Sequence, residues 1–247
     1  MNATRRRVAM VTGAAGVMGK AAARFLIEDG FRLALADLDR TRLDAAAREL
    51  GEGSLAVAFD VSDFKAAEAA CGRIADALGP VDVLVNNAGI LSNHKAADTT
   101  PEEWHRVLGT NLDGAFYLSK LLLPGMKERR WGRIVNTCSL AMKSGGLTAG
   151  TAYTTSKGAL AALTFSLARE SAAFGVTVNA IAPAYVMTPM VTEQLTETQR
   201  EALIAQVPVG RFCEPEEFAH CVRFLAHELS GFITGEILDL NGGLHFD

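Results

Sequence analysis

Seven short apolar runs punctuate the chain at 7–12 (RVAMVT), 32–37 (RLALAD), 54–59 (SLAVAF), 81–86 (VDVLVN), 133–138 (RIVNTC), 176–182 (VTVNAIA) and 236–240 (EILDL). Most lack strict polar alternation, the pattern of strands covered on both faces. Between them lie longer stretches with helical spacing, such as Thr41 to Leu50 and Asp63 to Leu78, several followed by a glycine (Gly30, Gly51, Gly79, Gly175) that suits a helix C-terminus. Strand and helix alternating at this rhythm predict a doubly wound α/β fold, a seven-stranded parallel sheet with helices on both faces. No linker, low-complexity tract or long repeat interrupts the pattern, so one domain is expected over residues 1–247.

Composition narrows the class. The 247 residues are 49% apolar, enough to bury a core, and carry 24 basic and 28 acidic side chains for a net charge of -4. Without long like-charge blocks, neither nucleic acid nor a membrane surface is expected as the main partner. Arg5, Arg6 and Arg7 precede an apolar run as in a signal peptide, but Thr12, Gly13 and Lys20 break it. No stretch reaches the roughly 18 apolar residues of a membrane span. Cys71, Cys138, Cys213 and Cys221 have neither CxxC spacing nor the density of a disulfide scaffold, so reduced thiols in a cytoplasm are expected.

The chemistry is concentrated in three places. Gly13, Gly16 and Gly19 lie in TGAAGVMG between a predicted strand and a helix beginning near Val17, where backbone can approach a pyrophosphate at a helix N-terminus. Asp37 ends the second predicted strand 18 residues after Gly19, close to the offset at which a carboxylate accepts from ribose hydroxyls and repels a 2′-phosphate. Its plainer role would be a helix cap, for which Asp39 and Thr41 also compete. Arg40 is the nearby cation that could moderate the repulsion. Finally, Tyr153 and Lys157 stand one helical turn apart, with Ser139 fourteen residues before the tyrosine. An ammonium beside a phenol lowers its ordinary pKa of about 10 toward a working value, and a nearby hydroxyl can hold a substrate oxygen. Singly these residues have ordinary structural roles; jointly they point to hydride transfer with proton exchange.

TGAAGVMG (12–19), Asp37, DVSD (60–63), NNAG (86–89), GTNLDGAF (109–116), IVNTCS (134–139), YTTSK (153–157), VNAIAPAYVMTPM (178–190) and ITGEILDLNGG (233–243), in this order, resemble the short-chain dehydrogenase/reductase family over nearly the whole chain. The resemblance implies a Rossmann fold and a tetrad at Asn111, Ser139, Tyr153 and Lys157. Lys157 would also hold the nicotinamide ribose, and Asn111 would anchor a water leading to it. Cofactor contacts are implied at Gly13, Gly16, Val17, Met18, Gly19, Asp37, Leu38, Asp60, Val61, Asn87, Ala88, Gly89, Tyr153, Lys157, Pro183, Val186 and Thr188. The cofactor expected is NAD, no metal is implied, and a homotetramer is expected through helices near Pro101 to Met126 and Tyr153 to Phe174.

Four positions depart from the family pattern. Val17 stands at the middle glycine of the nucleotide turn, Ala184 where PG is usual, Cys213 where glycine often follows GRF, and Asn241 where DGG is usual. None removes a reacting group. The substrate expected is a secondary alcohol or its ketone, small and polar, such as a sugar, polyol or hydroxy acid; the alternative is a 3-oxoacyl thioester reductase, which Asp37 disfavours because such biosynthetic enzymes usually draw on NADPH. A fold-retaining nucleotide sensor without catalysis is the non-enzymatic reading. His94, Lys143 and Tyr185 are the candidate substrate contacts, with Asn93 and Lys95 beside His94, and residues 185–206 form the expected lid.

Overall fold

The computed structural model describes residues 5–51, 53–188 and 196–246. Its strands are β1 (Val8–Thr12), β2 (Arg32–Asp37), β3 (Ser54–Ala58), β4 (Val81–Asn86), β5 (Gly132–Thr137), β6 (Val176–Pro183) and β7 (Ile237–Leu240). They form one sheet in the order β3-β2-β1-β4-β5-β6-β7, and every pair is parallel. The seven apolar runs fall on these strands to within about a residue or two, the ordinary uncertainty of element ends.

Alternate residues of the central strands feed the cores on the two faces of the sheet. Val8 and Met10 of β1, Leu84 of β4 and Ile134 of β5 face one side. There they meet Ala67, Ala70 and Ile74 of α3 (Phe64–Leu78), Leu118, Leu123 and Met126 of α5 (Gly114–Glu128), and Leu167 and Ala168 of α7 (Thr151–Ser171). Ala9, Val11, Val83 and Val85 face the other side, against Ala22 and Leu26 of α1 (Val17–Glu28), Leu43 of α2 (Arg40–Leu50), and Phe218, Val222 and Leu225 of the helix Pro215–Ala226. Burial on both faces is why the runs are apolar throughout rather than alternating.

The strand order reverses between β1 and β4, the switch point at which doubly wound sheets open a crevice beyond the carboxyl ends of the strands. The glycine turn, Asp37, Asn87 to Gly89 and Ser139 lie at those carboxyl ends, of β1, β2, β4 and β5 respectively. Between α3 and α5, a helix α4 (Pro101–Leu108) runs directly into one π-helical turn, Gly109–Asp113, before α5 begins. Before α7 comes the short turn α6 (Ala141–Ser144), and after β6 the chain passes through α8 (Glu197–Ile204) to α9 (Pro215–Ala226). Residues 189–195, the middle of the expected lid, lie outside the described residues, as do Met190, Thr192 and Leu195 within it. Among the described residues no helix is long and apolar enough to cross a membrane, and all four cysteines are free thiols.

Candidate active site

The glycine turn is shaped by close contact. Gly13 has φ +64°, and a Cβ there would lie 2.9 Å from Asn87 Nδ2 and 3.0 Å from Ala88 Cα. A Cβ on Gly19 would lie 2.3 Å from Gly13 O. Both positions therefore exclude any side chain, and the turn packs directly under the loop that follows β4. Gly16 is the extended N-cap of α1 and has no such crowding; its own amide donates to Gly13 O at 3.1 Å. With no capping side chain, the first-turn amides from Val17 to Gly19 remain as donors for an anion, as helix N-termini do. Val17 at the usual glycine position thus takes the first helical place without distortion.

Thr12 fixes the opposite wall. Its hydroxyl accepts from Asn87 N at 3.0 Å and Ala88 N at 2.9 Å, while Asn87 Nδ2 donates to Thr12 O at 3.0 Å. The sequence reading missed Thr12, although it opens the same glycine motif. Asp37 ends β2 beside this cradle. Asp39, with its side chain accepting from Arg42 N at 3.0 Å, is the cap of α2, so Asp37 is released from capping duty. Instead its Oδ2 accepts from Ala15 N at 3.0 Å and its Oδ1 from Asp39 N at 3.3 Å, which orients the carboxylate toward the crevice. Arg40 is paired with Asp44 at 2.8 Å, whereas the Arg42 guanidinium reaches Ala15 O at 3.4 Å. Arg42, not Arg40, is the cation at this end of the site. Leu38 is exposed beside it, while Asp60 Oδ1 is engaged by the Ser62 amide and hydroxyl at 2.8 and 2.7 Å and Val61 is buried against Gly114.

At the other end of the crevice α7 presents Tyr153 and Lys157 on one face, the lysine Nζ 5.7 Å from the tyrosine ring centroid. Lys157 is buried and donates to Thr137 O at 2.6 Å. Loss of solvent pulls its pKa down to about 8. Burial also pushes the Tyr153 phenol above its ordinary value, with the neighbouring Ser139 hydroxyl pulling the other way. Ser139 itself leaves β5 on a segment that continues to pair with β6, Cys138 N donating to Ile181 O and Leu140 N to Pro183 O; its Oγ accepts from Ala141 N at 3.2 Å. A Cβ on Gly89 would meet Asn111 Oδ1 at 3.2 Å and Lys157 Nζ at 3.4 Å, so the loop after β4 passes immediately beneath the lysine. Asn111 sits in the π turn with its Oδ1 accepting from Ile90 N at 2.8 Å and its Nδ2 donating to Ile90 O and Ser156 Oγ, both at 3.0 Å. The side chain is thus engaged by protein groups, and Ser156 is a second residue that the sequence reading passed over inside a motif it had quoted.

The charged groups among the expected substrate contacts are engaged by groups of the protein itself. Lys143 Nζ pairs with Asp239 Oδ2 of β7 at 2.7 Å, so its charge is balanced within the protein. His94 Nδ1 meets Glu103 Oε2 at 2.7 Å, and this carboxylate raises the imidazole pKa. Lys95 Nζ donates to Gly146 O and Ala149 O, both at 2.7 Å, and Gly150 N donates to Ser92 O at 2.6 Å. The loops before α4 and before α7 are stitched together, leaving small residues, Gly145 and Gly146, beside an exposed Leu147. Tyr185 packs its ring 5.9 Å from Phe212, and Pro183, buried Val186 and half-buried Thr188 line the exit from β6.

The other departures are absorbed locally. Ala184 N donates to Leu240 O at 3.0 Å, and Cys213 pairs in extended form with Tyr185 and Met187. Asn241 turns the C-terminal segment by accepting from Gly243 N and donating to His245 O, both at 2.9 Å.

Residues 13–245 match the family model described as enoyl-(acyl carrier protein) reductase. An acetoacetyl-CoA reductase of Rhizobium meliloti is 42% identical over 97% of this chain and 99% of its own length. A 3-oxoacyl-(acyl-carrier-protein) reductase of Vibrio cholerae is 41% identical over 97% of both chains. Among solved structures, a Brucella melitensis protein described as a short-chain dehydrogenase/reductase, glucose/ribitol dehydrogenase, superposes with a TM-score of 0.91 at 36% identity, covering 98% of this chain and 97% of that one.

Proposed function

The chain belongs to the short-chain dehydrogenase/reductase family of nicotinamide-dependent oxidoreductases, and from that premise we propose that it interconverts a 3-oxoacyl thioester and its 3-hydroxyacyl form with NAD(H). The relatives shift the substrate away from the sugar or polyol of the sequence reading and toward the thioester alternative. The commitment of Lys95, His94 and Lys143 to the protein's own carbonyls and carboxylates supports that shift, because a small anionic substrate finds its candidate cations already engaged. The observation that carries the cofactor choice is Asp37, held by two backbone amides at the end of β2.

The residues fit a dinucleotide. The side-chain-free contact of Gly13 with Gly19 admits backbone to a pyrophosphate, the α1 amides face it, and the Asp37 carboxylate has acceptor capacity for a ribose diol. Bound nicotinamide supplies or accepts the hydride. Ser139 hydrogen-bonds the substrate carbonyl oxygen and keeps it near the Tyr153 hydroxyl. Tyr153, kept protonated by burial, gives its proton to that oxygen as negative charge develops there during reduction. Lys157, cationic below about pH 8, stabilises the phenolate left behind and would also hold the nicotinamide ribose. Asn111 holds the loop after β4 under the lysine. In the reverse direction the phenolate is the base. The chain works as a single domain, and exposed Phe116 of α5 and Phe165 of α7 provide apolar surface for a homotetramer.

The test is a steady-state panel with NADH and NADPH against acetoacetyl-CoA, longer 3-oxoacyl thioesters, and the ketoses related to common polyols. The highest kcat/KM is expected for NADH with a thioester. Turnover of polyols or sugars at higher kcat/KM than any thioester would overturn the substrate assignment in favour of the activity named for the Brucella melitensis structure.

A further inference from the structure

Ser156 is fully buried in α7, between Tyr153 and Lys157. Its hydroxyl has one proton, which it donates to Tyr153 O at 2.7 Å. Toward Asn111 it can then only accept, and what it meets at 3.0 Å is the Asn111 amide nitrogen. An amide flipped by 180° would set Oδ1 against Ser156 Oγ with no hydrogen between them, and would at the same time turn a donor toward Ile90 N–H and an acceptor toward Ile90 C=O. In the observed orientation all three contacts are satisfied, Ile90 N to Oδ1 at 2.8 Å and Nδ2 to Ile90 O at 3.0 Å.

From this we infer that Ser156 is a positioning residue that fixes the orientation of the Asn111 amide and, through it, the backbone at Ile90. The consequence reaches the reacting groups because Gly89, next to Ile90, lies against both Asn111 and Lys157. The π turn at Gly109–Asp113 serves the same end by bringing Asn111 into reach of α7. This inference rests on the proposed role of Tyr153 and Lys157 only for its effect on rate; its structural content is independent of substrate.

The test is amide hydrogen exchange of the cofactor-free protein, read at Ile90, in wild type, Ser156→Ala, Ser156→Cys and Ser156→Thr. Alanine removes the acceptor and cysteine replaces it with a poor one at similar volume, so both should speed Ile90 exchange by about tenfold or more, while the hydroxyl of threonine keeps it within about threefold of wild type. On the active substrate, Ser156→Ala should lower kcat by about five- to tenfold, the scale of one buried hydrogen bond, with the Kd for NADH changed less than about twofold. Unchanged Ile90 exchange in the alanine and cysteine variants overturns the inference, and so does acceleration spread evenly along α7, which marks general loosening. A wild type inactive on thioesters would count against the proposed function and leave the exchange result standing.

Discussion

Replacing Asp37 by alanine should reverse much of the cofactor preference. The carboxylate is half-buried and pinned by Ala15 N and Asp39 N, so it cannot swing away from a phosphate placed on the adjacent ribose. A phosphate dianion about 5 Å away meets roughly 3 kcal/mol of repulsion if the effective dielectric constant is about 40, between that of water and of surface pairs. Relief of that repulsion corresponds to roughly 100-fold for NADPH. NADH loses charge-assisted hydrogen bonds to its ribose, about tenfold or more. The two backbone amides left without an acceptor weaken both cofactors equally and cancel in the ratio. The Arg42 guanidinium, 3.4 Å from Ala15 O, is then free of a competing carboxylate in the crevice and can meet the phosphate. The kcat/KM ratio of NADH to NADPH should therefore fall by at least about 100-fold in Asp37→Ala. Asp37→Asn, which keeps an acceptor and loses the charge, should show most of the NADPH gain and less of the NADH loss. A wild-type enzyme with equal kcat/KM for the two cofactors, or an Asp37→Ala ratio within threefold of wild type, would refute the reasoning.

The pH dependence of reduction should follow the protonated pair: kcat/KM for the thioester should be level near neutrality and fall as pH rises through about 8, where Lys157 loses its charge, while oxidation of the hydroxyacyl form gains from phenolate formation; a reduction rate that climbs above pH 8 would contradict this. The same lysine predicts a stability effect, measurable by urea unfolding of the cofactor-free protein. Its folded pKa of about 8 lies below the unfolded value of 10.5, so between these the unfolded chain holds more protons and stability rises with pH. Relative to Lys157→Met, wild type should gain about 3 kcal/mol between pH 7 and 10.5, and a constant difference would show that burial does not depress the lysine. Gly19→Ala forces a Cβ to within 2.3 Å of Gly13 O and should weaken NADH binding by at least about tenfold with a lower Tm, whereas unchanged binding would mean that the turn can relax.

The fold could be read because its determinants are local. Burial on both sheet faces leaves a distinctive apolar run, and some helices are capped by side chains a few positions away, Asp39 for α2 and Asp63 for α3. The glycine turn and the Tyr153–Lys157 spacing were legible for the same reason. What escaped depends on residues brought together by folding. Lys143 reads as a cation on a short loop until β7 delivers Asp239 to it from 96 positions away. His94 and Lys95 look available until α4 and the loop before α7 engage them. Arg40 is nearer than Arg42 to Asp37 in sequence, and only the helix phase of α2 turns Arg40 toward Asp44 and Arg42 toward Ala15 O. GTNLD was recognised as a motif, but nothing in it marks the π-helical turn, so the reach of Asn111 to Ser156 was invisible.

The central claim, that Tyr153 delivers the proton while hydride passes to C3 of a 3-oxoacyl thioester, is tested most directly by isotope transfer. Acetoacetyl-CoA is incubated with NADH carrying deuterium at both C4 positions, and the 3-hydroxybutyryl-CoA formed is analysed by mass spectrometry for wild type and Tyr153→Phe. The account predicts one deuterium at C3 in the wild-type product, and a rate of product formation lower by about 10²- to 10⁴-fold in the phenylalanine variant with NADH binding preserved. A deuterated product formed by Tyr153→Phe at a tenth or more of the wild-type rate, or no labelled product from wild type, would contradict it.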